Sequence, residues 1–253
     1  VRYQGFNDYR GGGHFSGRLT APLVFAGAVA KQALAQYGII VGSHILQIND
    51  IKEERFNPMG VSDAELAELH TKKFAVMDDA VGEKMQERIL QAKSELNSVG
   101  GVIEAIALHL PAGIGAPYFD SVESMLSHAL FSVPAVKGVE FGDGFGFARL
   151  TGAEANDALH YVDGKVKALT NHNGGVTGGI TNGMPFVVRV AIKPTPSIAR
   201  EQQTVSLKEQ ADTTLAIVGR HDPCIVQRAV PVIEAVVAWT LWDLLLEAKK
   251  WEK

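Results

Sequence analysis

The chain has 253 residues, 46% hydrophobic and 21% charged, enough apolar material for a substantial core and too much for a disordered chain. A formal net charge of -4 and a pI near 6.1 exclude a global attraction to nucleic acid or an anionic membrane, so anion binding must come from local arginines and lysines, and a small-molecule partner is expected. One cysteine, Cys224, excludes an internal disulfide and fits a reducing compartment, with the cytoplasm as the expected location.

In chain order, Val1 to Gly13 is aromatic, polar and glycine-rich, and a start at Val1 instead of Met reads as the remainder of a longer protein. Thr20-Ala21-Pro22 suits an N-cap followed by a first-turn proline, and Leu23 to Tyr37 continues as an alanine-rich helix stopped at Gly38. Ile39 to Ile51 reads as a strand. Asp63 to Lys73 and Ala80 to Asn97 read as helices, the second with Met85, Ile89, Ala92 and Leu96 on one face. Val102 to Leu110 is a strand, Ser121 to Phe131 a helix, Val139 to Leu150 a glycine-interrupted strand pair, and Phe186 to Ile192 a strand. Lys165 to Asn182 and Pro194 to Val205 read as loops. Ala229 to Leu246 carries Glu234 and Asp243 within a helical apolar pattern, which makes it a core helix and not a membrane span. The pattern predicts an α+β fold in one continuous domain over residues 1–253.

Several polar clusters could carry chemistry. Val218-Gly219-Arg220-His221-Asp222-Pro223-Cys224 sets a cation, an imidazole and a carboxylate before a long apolar helix. Arg220 and Asp222 are expected at or near a helix N-terminus, where unpaired amides favour a phosphate or carboxylate. Asp222 equally suits a simple cap, and Arg220 a solvated turn. Arg10 to Arg18 combines two arginines and Ser16 with glycines that let backbone amides approach an anion, or it is a flexible turn; it is neither a Walker loop nor a dinucleotide fingerprint. Asn171 to Gly183 could lie against a planar ligand or form a long hairpin connection. Lys193-Pro194-Thr195-Pro196-Ser197 offers a cation and two hydroxyls after a strand, as a phosphate cradle or an ordinary strand exit. Gly142-Asp143-Gly144 reads as a turn, and His44, His70, His109, His128 and His160 follow no metal-ligand spacing, so they are read as core or surface histidines and no metal is expected.

Taken together, Asp8 to Gly13, Ser16 to Ala21, Ala135 to Phe145, Asn171 to Gly183, Lys193 to Ile198 and Gly219 to Cys224 resemble, in order, the motifs of the chorismate synthase family. The resemblance implies an α+β architecture of antiparallel sheets sandwiched with helices, a homotetramer, and a lyase that needs reduced FMN. Such a lyase eliminates phosphate from 5-enolpyruvylshikimate 3-phosphate to give chorismate in aromatic amino acid biosynthesis. It implies FMN contacts at His14, Phe15, Ser16, Pro134, Ala135, Gly178, Lys193, Pro194, Thr195, Pro196, Ser197 and Arg220. Arg10 and Arg18 would face the substrate, and Asp222 would accept a proton from flavin N5. His14, Phe15 and Pro134 depart from the arginine, serine and asparagine of some relatives.

Family members begin with a Gly-Glu-Ser-His segment and place a second histidine just upstream of the position matching Val1. These are the family's expected proton donors, so the 253 residues are expected to hold most of the flavin site and part of the catalytic set. That leaves two expectations, the lyase itself or a flavin- or phosphate-binding fragment that only folds and oligomerises. No NADP or NADPH fingerprint accompanies the motifs, so an external reductant such as a flavin reductase is expected.

Overall fold

The computed structural model describes residues 2–8, 12–219 and 221–250. Its elements are α1 (Ala21–Ala35), β1 (Ile40–Ile48), β2 (Ile51–Lys52), α2 (Asp63–Thr71), α3 (Asp79–Ser94), β3 (Gly101–Leu108), α4 (Val122–Phe131), β4 (Val136–Phe141), β5 (Leu159–Val162) and β6 (Lys165–Ala168). There follow β7 (Val176–Thr177), β8 (Ile180–Thr181), β9 (Phe186–Ile192), β10 (Gln202–Ser206), β11 (Ala211–Leu215) and α5 (Val226–Lys249). A five-stranded sheet in the order β2-β1-β3-β9-β4 forms the centre, and each neighbouring pair is antiparallel. The α+β expectation, with antiparallel sheet against helices, therefore holds.

Alternation along the strands sorts the sheet into two faces. Ile103, Ala105 and Ala107 of β3 and Phe186, Val188 and Val190 of β9 join the large core with α1, α4 and α5. Ile106, Leu108 and Val187 turn the other way, onto Leu66 and Leu69 of α2 and Phe56. The capping box of Ser62 and Glu65 starts α2, and Asp78 caps α3 through the amides of Ala80 and Val81. α5 is long and apolar enough to cross a membrane by length and composition, yet 67% of its most apolar window is buried inside the protein. Val232 to Ala238 are buried without interruption, so this helix is enclosed on more sides than the one-faced pattern of its sequence suggests.

Gly27 of α1 meets Ala235 of α5 so closely that an added Cβ would lie 2.2 Å from the alanine Cβ. Tyr37, just past α1, packs on Trp242 with ring centroids 5.8 Å apart. Chain position increases in the same direction along both helices, so α1 and α5 run parallel and begin at the same end of the molecule.

Several local readings change. Ile39 to Ile51 is not one strand: Ile48 pairs with Ile51 across Asn49 and Asp50, with Asn49 at φ 51°, a conformation asparagine tolerates in a two-residue hairpin turn. Val139 to Leu150 is not a strand pair. After β4 the positive φ of Gly142 and Gly144 turns the chain into a 3-10 helix, Gly144–Arg149. The two segments read as loops include parts of the hairpins β5–β6, β7–β8 and β10–β11. Thr20 holds the N-cap position without capping, because its hydroxyl donates to the Gly17 carbonyl at 2.6 Å.

A row of charges crosses the sheet in register. His44 of β1 lies opposite Glu104 of β3, Glu104 opposite Arg189 of β9, and Arg189 opposite Glu140 of β4. His44 Nδ1 contacts Glu53 and Nε2 lies 3.1 Å from Glu104. Carboxylates only accept, so both ring nitrogens carry a proton and the ring is an imidazolium. Burial opposes that charge, but the hydrogen bonds to Glu104 and Glu53 outweigh it and raise the His44 pKa. Arg189 donates from Nη1 to Glu104 at 3.0 Å and from Nε to Glu140 at 2.6 Å, and it also donates to the Gly142 carbonyl.

Candidate active site

The expected site residues gather mainly at the end of the sheet where β4 begins and β9 finishes. There the Lys193 amide donates to the Ala135 carbonyl at 2.9 Å, joining Pro134-Ala135 to the Lys193–Ser197 segment. Ala135 sits at φ 74°. A left-handed alanine costs about 1–2 kcal/mol, so the surrounding contacts must hold the bend. Ser98 Oγ donates to the Thr195 carbonyl at 2.6 Å, and the Val99 amide donates to the Pro223 carbonyl at 2.8 Å. The short turn Ser98-Val99-Gly100 thereby ties the strand exit to the loop before α5. Gly100 must lack a side chain, since a Cβ there would lie 2.3 Å from the Ile192 carbonyl oxygen.

Asp222 is half-buried in this loop, and its Oδ2 accepts from Arg228 Nη1 at 2.9 Å. It does not cap α5: the N-cap position belongs to Ile225, with no side-chain cap hydrogen bond. His221 Nε2 donates to the Ile217 carbonyl at 2.9 Å. Burial, with a smaller contribution from the Asp222 charge, pushes the Cys224 thiol up, so this buried cysteine is not a reactive thiolate.

Because α1 and α5 start at the same end, the 3-10 turns carrying His14, Phe15, Ser16 and Arg18 lie toward the Asp222 loop. Ser16 Oγ accepts from the Arg18 amide at 3.2 Å and caps the second turn. Phe15 is exposed, its ring 4.3 Å from that of His14, and the Arg18 side chain is exposed as well. Gly178 is placed elsewhere. It forms the β7–β8 turn with Gly179, whose carbonyl accepts from the Val122 amide at the start of α4, whereas Ala135 follows the end of that helix. The ten residues of α4 separate the two by about 15 Å. Arg10 and Arg220 lie outside the described residues.

The donor set suits a flavin phosphate. Lys193 supplies an exposed cation in the same segment as the hydroxyls of Thr195 and Ser197, and Thr195 Oγ1 is a buried oxygen without a hydrogen-bond partner among the described residues. A hydroxyl so placed lacks the bond that burial normally demands, and a phosphate oxygen would supply it. Among the described residues no group of three or more His, Cys, Asp or Glu side chains is placed to hold a metal ion. A cavity of about 480 Å³ lies not here but at the opposite end of β4, lined by residues including Arg55, Glu140, Asp143 and Arg149.

Fold and site thus define an α+β protein with a cationic and hydroxyl-bearing cluster at one end of an antiparallel sheet. The chorismate synthase family model matches residues 1–246. A chorismate synthase of Thermococcus gammatolerans is 47% identical over 252 residues, covering 100% of this chain and 69% of the relative. That of Pyrococcus abyssi is 46% identical with the same coverage. A solved structure described as a crystal structure of chorismate synthase superposes with a TM-score of 0.75 at 31% identity, over 92% of this chain and 64% of that one. The chain belongs to the chorismate synthase family, lyases of the shikimate pathway of aromatic amino acid biosynthesis.

Proposed function

We propose that this chain binds reduced FMN and takes part in eliminating phosphate from 5-enolpyruvylshikimate 3-phosphate. In that reaction the C3–O bond breaks with its electron pair leaving on phosphate, a hydrogen leaves C6, and a new double bond forms without net redox change. Reduced FMN, when bound, supplies transient electron donation that weakens the allylic C–O bond.

The residues divide the remaining work. Lys193, Thr195 and Ser197 hold the cofactor phosphate, and Ser16 with the bent backbone at Ala135 shapes the adjoining wall. Arg18 binds the substrate and stabilises the charge that develops on the departing phosphate. Asp222, with Oδ2 engaged by Arg228, would offer Oδ1 as the proton acceptor toward a bound flavin. The observation that carries the reading is the hydrogen-bonded junction of Ala135, Lys193, Thr195 and Pro223, which brings three separated family motifs to one sheet end.

A homotetramer is the proposed assembly. Support comes from the β5–β6 and β10–β11 hairpins, which leave Leu159, Tyr161, Leu207 and Leu215 exposed and would be marginal alone. The cytoplasm and an external flavin reductant complete the reading. The test is anaerobic phosphate release from 5-enolpyruvylshikimate 3-phosphate with reduced FMN. Release that depends on reduced FMN is expected, and saturable FMN binding with no release would overturn the lyase reading.

A further inference from the structure

Far from the junction, the end of β4 and the 3-10 helix Gly144–Arg149 enclose the cavity of about 480 Å³. The six residues of β4 put it roughly 20 Å from Ala135. Its charged lining is Arg55, Arg149, Glu140 and Asp143, with Phe145 and Leu150 as apolar wall. Both acids are already matched by residues that do not line the cavity. Arg189 Nε donates to Glu140 at 2.6 Å, and His172 Nδ1 lies 2.6 Å from Asp143 Oδ2. Neither arginine has a carboxylate within ion-pairing distance among the described residues, although the Arg55 charge helps hold the Glu140 carboxyl below its ordinary range, so the cavity presents two guanidinium groups with no direct ion pair beside an exposed phenylalanine ring.

The support behind this wall is rigid. Arg189 donates to the Gly142 carbonyl, the Asp143 amide donates to His172 O at 2.7 Å, and the Phe145 amide donates to Glu140 Oε2 at 3.2 Å. Gly142 is closely packed, since a Cβ would lie 2.0 Å from the His172 carbonyl oxygen. The buried charge row across the sheet thus fixes the acid side of the cavity and leaves the arginines to a ligand.

We propose that this cavity is a second binding site, separate from the flavin junction, for a small phosphate monoester or carboxylate whose planar apolar body rests on Phe145. Guanidinium forks match such oxyanions bidentately, and the ring accepts the flat remainder.

Isothermal titration calorimetry with phenyl phosphate, benzoate and inorganic phosphate tests it on the wild-type chain, on Arg55→Gln/Arg149→Gln and on Lys193→Gln. Saturable binding of phenyl phosphate is expected, weakened about tenfold or more by the paired arginine substitutions and retained in Lys193→Gln. Tighter binding of phenyl phosphate than of inorganic phosphate identifies an organic ligand, and stronger binding of benzoate than of either selects a carboxylate. Binding unchanged in Arg55→Gln/Arg149→Gln, or absent from the wild type, overturns the proposal. So does a fall in the oligomer's mass caused by these two substitutions, which would make the cavity a contact between copies. Circular dichroism on each variant confirms that these exposed substitutions leave the fold intact.

Discussion

Replacing Arg189 with methionine probes the charge row. The guanidinium is only 4% exposed and serves Glu104, Glu140 and the Gly142 carbonyl. Methionine keeps much of the volume and removes every donor. Breaking a buried pair from one side costs about 3–5 kcal/mol. Two features reduce that here: Glu104 retains His44 and the Phe56 amide, the latter at 2.6 Å, and the Glu140 side chain is 26% exposed and can rehydrate. The expected loss is therefore about 3 kcal/mol, a fall of about 1 M in the urea midpoint for an m-value near 3 kcal/mol/M.

The pH dependence gives the sign. Glu104 is held below its ordinary 4.5: burial alone would raise it, but the bonds to His44, the Phe56 amide and Arg189 outweigh burial. A lowered carboxylate stabilises the fold above its unfolded value and loses that contribution as pH falls through the folded one. The gap between wild type and Arg189→Met should thus narrow below about pH 4.5. Unfolding followed by tryptophan fluorescence and far-UV circular dichroism measures both. A midpoint change under about 0.2 M, or a gap that stays constant at acid pH, would refute the reasoning.

His44→Gln should flatten the alkaline limb of stability. The raised His44 pKa contributes fully below the unfolded value of 6.5 and is lost as pH rises through the folded value, so the wild-type urea midpoint should decline above that range more steeply than the variant's. Gly27→Ala forces α1 away from Ala235 and should lower stability by about 1–3 kcal/mol by thermal unfolding; an unchanged Tm would disprove the close approach. Asp222→Asn should keep flavin affinity within about twofold while lowering turnover at least about 100-fold, and an equal loss of both would make the residue structural.

Much of the helical framework was readable because α2, α3, α4 and α5 repeat apolar residues at helical spacing, and α2, α3 and α4 begin at the cap residues Ser62, Asp78 and Ser121. Chain turns were harder. Asn49-Asp50 is a short polar step inside an apolar run, and only cross-strand pairing distinguishes a hairpin from a bend. The charge row was hidden for a related reason. His44, Glu104 and Arg189 are each an isolated charge in an apolar strand, and register alone makes them neighbours. Such a lone charge in a strand signals a partner on the next one, as His44 does with Glu104. The junction at Ser98, Thr195 and Pro223 was equally out of reach, since it joins backbone carbonyls, which leave no mark in composition. Family motifs pointed to Lys193, Ser16 and Asp222, while Arg228 became relevant only through its bond to Asp222.

The Lys193–Ser197 junction is the proposed seat of FMN. Quenching of flavin fluorescence on titration with the chain measures it directly, comparing wild type with Lys193→Gln and Arg55→Gln. Saturable binding weakened about tenfold by Lys193→Gln and unaffected by Arg55→Gln is predicted. Absence of saturation in the wild type, or equal affinity in wild type and Lys193→Gln, would contradict it.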